Sequence, residues 1–359
     1  MNMAKTCLKF LTGNGTTMDK QTLIHTATTL LAGSKGLLAM DESNGTCNKR
    51  FAKIGIPQTE DARRDWRELI ATTPNLAKNI SGVILYDETI HQKRGDGKTI
   101  INTIIDAGII PGIKVDTGAK ALAGFPREKI TEGLDGLRER LTEYYKMGAR
   151  FAKWRAVIAI GEGIPTRACI EANANALSRY AAHCQEAGLV PIVEPEVLME
   201  GTHDLQRCFT VTEDVLRAVF IQLYLQGVML EGVILKSNMV MPGLRCAHQA
   251  TVDEVAEATI QCLLQSVPAA VGGIAFLSGG QSGELATAHL NDMHVRYRSK
   301  LPWPLTFSFA RAIQQPAMSI WHGEEKNKSA AQQSLYHRAK CDDAARRGEY
   351  NTAMESTII

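Results

Sequence analysis

Short apolar runs of strand length recur along the chain, each ending in a polar or charged residue and followed by a loop and a helix-like stretch. Eight such runs stand out: residues 36–41 (GLLAMD), 81–87 (SGVILYD), 109–116 (IIPGIKVD), 149–155 (ARFAKWR), 190–196 (VPIVEPE), 232–236 (GVILK), 273–278 (GIAFLS) and 304–308 (PLTFS). Helical apolar spacing is found at residues 22–32, 59–72, 133–146, 166–186, 212–226, 251–265 and 283–291. Several of these stretches open on Thr, Asp or Glu and stop at glycine, as capping and the helix dipole favour. The run ends at positions 153, 194, 236 and 278 are spaced by 41, 42 and 42 residues. This alternation predicts an α/β protein, a TIM (β/α)8 barrel. A doubly wound sheet would also alternate, but it would carry a glycine-rich dinucleotide loop after its first strand, and the turn here reads DESNGT. The predicted organisation is a lead-in over residues 1–20, one barrel domain over 21–345 and a short tail over 346–359.

Composition narrows the class of function. Lys and Arg number 40 against 38 for Asp and Glu, a net charge of +2, which argues against a nucleic-acid or membrane-surface field. No apolar run approaches the roughly 18–20 residues of a membrane span. Residues 1–20 make a poor secretory signal and, lacking arginine, a poor transit peptide. The eight cysteines are scattered, without a CxxC pair and without histidine clustering, so neither a disulfide framework nor a zinc site is expected. The reading is a cytoplasmic protein in a reducing compartment.

In a barrel of this kind functional groups gather at the C-terminal ends of the strands. Those ends hold Asp41, Asp87, Lys114, Lys153, Glu194 with Glu196, Lys236, Ser278, and Ser308 with Arg311. Strand alternation lets several point inward together: Gly112 with Lys114, Phe151 with Lys153 and Arg155, Ile192 with Glu194 and Glu196, and Ile234 with Lys236. Lys236 organises the set. Apolar Val233, Ile234 and Leu235 lead straight into it; such surroundings disfavour a charged ammonium, and a neutral amine attacks carbonyls to form a Schiff base. The plainer alternatives are a strand-end lysine reaching solvent and a salt-bridge network across the barrel top. Phosphate-binding elements flank the lysine. Ser278 and Gly279 lie in an SGG turn that opens a helix after the seventh run, and Arg311 follows the eighth. Ser43, Thr46, Arg50 and Lys114 offer a second anion site, so a bisphosphorylated carbonyl substrate is expected. His289 and His294, five residues apart with no HExxH motif, read as core or surface polar residues and not as metal ligands.

The motifs LLAMDES, GIKVD, FAKWR, IVEPE, LKSNMV and FLSGGQS, in this order, closely resemble the class I fructose-bisphosphate aldolases over roughly residues 20–345. DESNGTCNKR leans toward the plastid and cyanobacterial-like branch. The resemblance implies reversible cleavage of fructose 1,6-bisphosphate to dihydroxyacetone phosphate and glyceraldehyde 3-phosphate, in glycolysis, gluconeogenesis or the Calvin cycle. It implies Lys236 as the Schiff-base lysine, Glu194 as the group that dehydrates the carbinolamine, and Asp41 as the base for the 4-hydroxyl. Lys153 would stand beside Asp41, and Glu196 would orient Lys236. Ser278, Gly279 and Arg311 would hold the 1-phosphate, with Ser308 a further substrate-binding residue; Ser43, Thr46, Arg50 and Lys114, with Arg155 nearby, would hold the 6-phosphate side. No metal and no cofactor are implied, and the assembly implied is a homotetramer, cytoplasmic, or in the plastid stroma if the source is eukaryotic. The alternatives are a Schiff-base aldolase preferring sedoheptulose 1,7-bisphosphate or fructose 1-phosphate, and a catalytically silent barrel scaffold.

Three positions depart from the family pattern. Ser237 replaces the proline after the lysine, which predicts a looser turn. Ala310 stands where a glycine is usual, so a requirement for positive φ there would strain the 1-phosphate site. The chain ends in Ile359 where many relatives end in tyrosine, and Tyr350 matches a helix-end tyrosine instead; slower protonation of the enamine, or its protonation by another group, is therefore expected.

Overall fold

A computed structural model describes residues 19–356. The eight apolar runs form eight strands: β1 (Gly36–Ala39), β2 (Ile80–Leu85), β3 (Ile110–Lys114), β4 (Phe151–Ile158), β5 (Val190–Val197), β6 (Ile234–Ser237), β7 (Gly273–Phe276) and β8 (Leu305–Phe309). Each pairs in parallel with its neighbours in sequence, and β8 returns to β1, closing a TIM barrel.

Alternation along the strands sorts the core into an inside and an outside. Leu37, Ala39, Ile84, Phe151, Val190, Ile192, Ile234 and Ala275 face the barrel axis. Their opposite-facing neighbours Leu38, Val83, Trp154, Val193 and Leu235 pack against the surrounding helices. The inner set is completed by α1 (Lys20–Leu31), whose Leu23, Ala27, Leu30 and Leu31 pack against it and form a floor. Three glycines make room for close neighbours, Gly82 and Gly112 inside the barrel and Gly36 on its outer face. A Cβ on Gly112 would lie 2.2 Å from the Phe151 ring, one on Gly36 2.5 Å from Phe307, and one on Gly82 2.6 Å from Leu30. Bulky side chains on some strands thus fill space that glycine leaves on others.

The outer helices depart in detail from the sequence expectation. The helix expected from residue 212 starts earlier, as Leu205–Leu225, because the Asp204 side chain accepts from the Arg207 amide at 2.7 Å and caps it there. Thr212 is a buried residue inside that helix. The helix expected over residues 133–146 starts at Leu137, and the one expected over 283–291 continues to Tyr297. Residues 43–46, read as a turn, are the capped start of the helix Asn44–Ala52, with Ser43 as its cap. An antiparallel hairpin, Gly118–Ala121 with Lys129–Glu132, was not anticipated. Nor were the helices Arg311–Trp321 and Lys328–Arg347; the second runs across position 345, ends at Gly348 with φ of 74°, and is followed by the short Thr352–Ser356 helix. Most of the expected lead-in lies outside the described residues. Among those described, no helix is long and apolar enough to cross a membrane.

Candidate active site

The C-terminal ends of the strands open into a cavity of about 570 Å³ lined by Asp41, Lys114, Lys153, Arg155, Glu194, Glu196 and Lys236 among others. Four of these make a chain of alternating charge across the barrel axis. Lys153 Nζ lies 2.8 Å from Asp41 Oδ2 and 2.9 Å from Glu194 Oε2, and Lys236 Nζ lies 3.1 Å from Glu194 Oε1. All four residues are buried. They meet because each occupies an inward position on or just beyond a different strand: Asp41 beyond β1, Lys153 in β4, Glu194 in β5 and Lys236 in β6.

Burial by itself would raise the carboxyl of Asp41, but the ammonium groups of Lys153 and Lys236 outweigh it and hold the group well below the ordinary carboxylate range. Glu194 is likewise lowered: burial opposes its ionisation, and Lys153 and Lys236 more than compensate. Lys153 moves the other way. Burial disfavours its charge, and the facing Asp41 and Glu194 carboxylates raise it above the usual lysine value. The result is two buried carboxylates kept ionised chiefly by Lys153, with Lys236 adding to its effect.

A second layer orients this chain. Lys114 Nζ pairs with Asp116 Oδ1 at 2.6 Å, and Asp116 Oδ2 accepts from the Arg155 amide at 3.1 Å. Glu196, expected to orient Lys236, instead pairs with the Arg155 guanidinium; the carboxylate that reaches Lys236 is Glu194. Glu196 lies two positions beyond Glu194 along β5, which carries it farther out toward the rim, beside Arg155 on β4. Asp87 also departs from the expected set. It starts the short Asp87–His91 helix, accepts from the Tyr144 hydroxyl at 2.7 Å, and does not line the cavity.

Groups suited to anions stand on both flanks. On one side Ser278 and Gly279 follow β7, Ser308 ends β8, and Arg311 Nη2 donates to the Gly279 carbonyl at 2.5 Å. Gly279 has φ of 54°, and a Cβ there would lie 1.8 Å from Met199 Cε, so no side chain fits. The Ser308 hydroxyl is buried without a protein partner. On the other side Ser43, Thr46, Arg50 and Lys114 line the cavity together with Lys53. Arg50 is paired with Glu42, which also takes Arg67 Nη1 at 2.8 Å and Gln314 Nε2 at 3.0 Å. Glu42, Lys53, Asp116 and Gln315 line the cavity but were missed in the sequence. Glu42 follows the selected Asp41, and alternation favoured the latter, whereas Asp116 shares a face with the selected Lys114; Gln315 lies on the helix Arg311–Trp321 and Lys53 just past the helix Asn44–Ala52, whose facing sides the strand pattern could not supply.

The three departures take on structural meaning. Ala310 adopts φ of −111°, so no left-handed strain attaches to alanine there. The turn after Lys236 is held by Asn238, whose Oδ1 accepts from the Val197 amide at 3.1 Å while Nδ2 donates to Thr212 Oγ1 at 3.2 Å and to the Met239 carbonyl at 3.1 Å. Ser237 lies within β6 and donates to the Asn238 carbonyl at 3.0 Å. The expected loosening is therefore countered by the asparagine. Tyr350 donates to Glu355 Oε1 at 2.8 Å and does not line the cavity, and Ile359 lies outside the described residues. His289 and His294 are buried; desolvation pushes both down to about 4, with Arg346 and Arg298 adding to the effect at His294. The expectation that no cysteine clusters with histidine is corrected: Cys341 Sγ lies 3.7 Å from His337 Nε2, one helical turn away, a spacing that a search for CxxC does not detect.

Fold and site together place the chain among the TIM-barrel enzymes that carry a lysine at the strand ends. Residues 22–358 match the family described as fructose-bisphosphate aldolase class-I. The chain is 56% identical over 334 residues to a probable fructose-bisphosphate aldolase class 1 of Xanthomonas campestris, covering 93% of this chain and 99% of the relative. It is 49% identical to the cytosolic fructose-bisphosphate aldolase 6 of Arabidopsis thaliana, covering 91% of each. The structure superposes on the fructose-bisphosphate aldolase of Plasmodium falciparum, solved with TRAP and a small-molecule inhibitor, with a TM-score of 0.90 and 44% identity over 92% of this chain and 95% of that one. The chain belongs to the class I fructose-bisphosphate aldolases and is a lyase.

Proposed function

We propose that the protein cleaves fructose 1,6-bisphosphate reversibly through a Schiff base on Lys236, with Glu194, Lys153 and Asp41 moving protons around it. The observation that carries this reading is the line Asp41–Lys153–Glu194–Lys236, which sets a carboxylate on each side of the bridging Lys153. Lys236 passes a proton to Glu194, 3.1 Å from its Nζ, and the amine so freed attacks the C2 carbonyl; Glu194 then returns the proton to the carbinolamine hydroxyl, which leaves as water. The iminium that remains is a cationic electron sink. Asp41 takes the 4-hydroxyl proton, the C3–C4 bond breaks, and its electrons pass to the iminium nitrogen to give an enamine and free glyceraldehyde 3-phosphate. Protonation of the enamine at carbon and hydrolysis release dihydroxyacetone phosphate and restore the amine.

Lys153 keeps Asp41 ionised, so the base is ready at neutral pH. Ser278, Gly279, Ser308 and Arg311 hold the 1-phosphate, and Ser43, Thr46, Arg50 and Lys114 hold the 6-phosphate. Cations at Arg50, Lys53 and Lys114 on that flank favour a bisphosphate over fructose 1-phosphate. Remote phosphate binding then holds the ketone against the amine and supplies energy for the bond-breaking step.

The protein works as a cytoplasmic homotetramer in this reading. The seven described cysteines are free thiols, in keeping with a reducing compartment, and Ile221, Tyr224 and Leu225 form an exposed apolar face on the helix Leu205–Leu225 suited to contact between copies. Borohydride reduction in the presence of dihydroxyacetone phosphate, followed by peptide mass spectrometry, tests the chemistry. A reduced adduct on Lys236 is expected; no adduct, or one on another lysine, rejects the mechanism.

A further inference from the structure

The helix Lys328–Arg347 carries His337 and Cys341 one turn apart, so the two side chains share a face. Cys341 Sγ lies 3.7 Å from His337 Nε2. The short Thr352–Ser356 helix brings Glu355 onto the same face, with Oε2 3.8 Å from His337 Nε2. One ligand atom from each of these three residues lies within 4.8 Å of the other two. A tetrahedral zinc ion with bonds of about 2.0–2.3 Å holds its nitrogen, sulfur and oxygen ligands roughly 3.3–3.6 Å apart. The three atoms therefore need to close by only a few tenths of an ångström along the two measured edges.

The other oxygen of Glu355 is already engaged. Oε1 accepts from Arg338 Nη1 and, at 2.8 Å, from the Tyr350 hydroxyl. These two donors fix the carboxylate with Oε2 toward the histidine and the sulfur, as outer-shell partners do for metal-binding carboxylates. The Arg338 charge is itself offset by Asp342, 3.8 Å away. Cys341 is buried, while the His337 and Glu355 side chains are 19% and 21% exposed, which leaves a solvent-side approach for the ion and for a water as fourth ligand. Imidazole, thiolate and carboxylate together suit zinc-like ions, whereas magnesium and calcium prefer oxygen alone.

We propose that His337, Cys341 and Glu355 bind a thiophilic divalent cation of the zinc type, which clips the C-terminal segment to the last long helix. The Cys341 thiol releases its proton to solvent as the metal–sulfur bond forms, and the histidine binds through a neutral ring nitrogen. None of the three residues lines the cavity around Lys236, so the clip is structural and stands apart from the lysine chemistry.

Full-length protein stripped with a chelator and titrated with Co2+ should develop a thiolate-to-cobalt absorption that saturates at one ion per chain and is displaced by Zn2+. Cys341→Ser should abolish the absorption. His337→Gln changes a partly exposed side chain and so preserves the fold; it should weaken Zn2+ binding at least about tenfold, and loss of the outer-shell hydroxyl in Tyr350→Phe should weaken it by about 10–100-fold. Zn2+ should slow amide exchange at residues 350–356 in the parent and not in His337→Gln, with cleavage activity reporting that each variant is folded. No absorption, an absorption that survives Cys341→Ser, or bound Zn2+ that leaves this exchange unchanged overturns the proposal.

Discussion

Glu194 divides its two oxygens between two amines, Oε1 toward Lys236 and Oε2 toward Lys153, and Lys153 divides its charge between Glu194 and Asp41. Removing the shared cation leaves the buried Asp41 carboxylate without its ion-pair partner and Glu194 with Lys236 alone. Lys153→Met should therefore lower kcat by about 10²–10⁴, the range over which positioned proton transfer acts. The pH–rate profile gives a sharper readout. Lys153 is what keeps Asp41 below the ordinary carboxylate range against burial, so its loss raises Asp41 and moves the acid limb of the profile to higher pH. At the rim, Arg50→Ala would remove the charge-assisted contact proposed for the 6-phosphate, worth about 1.5–3 kcal/mol. KM for fructose 1,6-bisphosphate should rise by about 10–100-fold, while cleavage of fructose 1-phosphate, which lacks that phosphate, should hardly change.

At the scale of elements, the strands dictate the site and the glycines dictate the strands. Gly112→Ala would push a methyl to within 2.2 Å of the Phe151 ring, whose place inside the barrel is fixed by α1 and by β5. Overpacking of this kind costs about 1–3 kcal/mol, so the thermal midpoint should fall, and Phe151→Leu in the same chain should restore part of it. The strand ends were legible because a period of two leaves a visible mark: Phe151 and Lys153, or Ile192 and Glu194, share a face by spacing alone. The helix starts were less so. Asp204 caps the helix Leu205–Leu225 one turn and more before the Thr-Glu-Asp sequence that resembled a start, and only the tertiary setting of Thr212 decides between them. The hairpin Gly118–Glu132 left little hydrophobic trace, since most of its strand residues are exposed and it is fastened by Asn173, far along the chain. Ion-pair partners were the least legible feature. That Glu196 meets Arg155, and that Glu42 gathers Arg50, Arg67 and Gln314, follows from register and helix packing, which no local pattern encodes.

For the molecule as a whole, acid acts through groups remote from the reaction. His289 and His294 are buried and stay neutral down to about 4, against an ordinary value of 6.5. Between these pH values the unfolded chain binds protons that the folded chain does not, so stability falls as pH drops through that window. The loss grows to roughly 3 kcal/mol for each ring near pH 4. His294→Gln should therefore show a shallower fall in urea midpoint from pH 7 to pH 4 than the parent, while Asp342, whose carboxyl burial raises to about 7, acts in the opposite sense in both proteins.

The α1 floor has a consequence for traffic. With Leu23, Ala27, Leu30 and Leu31 sealing the far end, the barrel is a blind well. Sugar, water and both fragments must share one doorway at the rim, and under the proposed Schiff-base chemistry the fragment held on Lys236 would wait below while the free aldehyde departs. The order in which products leave is thus written into the architecture: the well empties from the top.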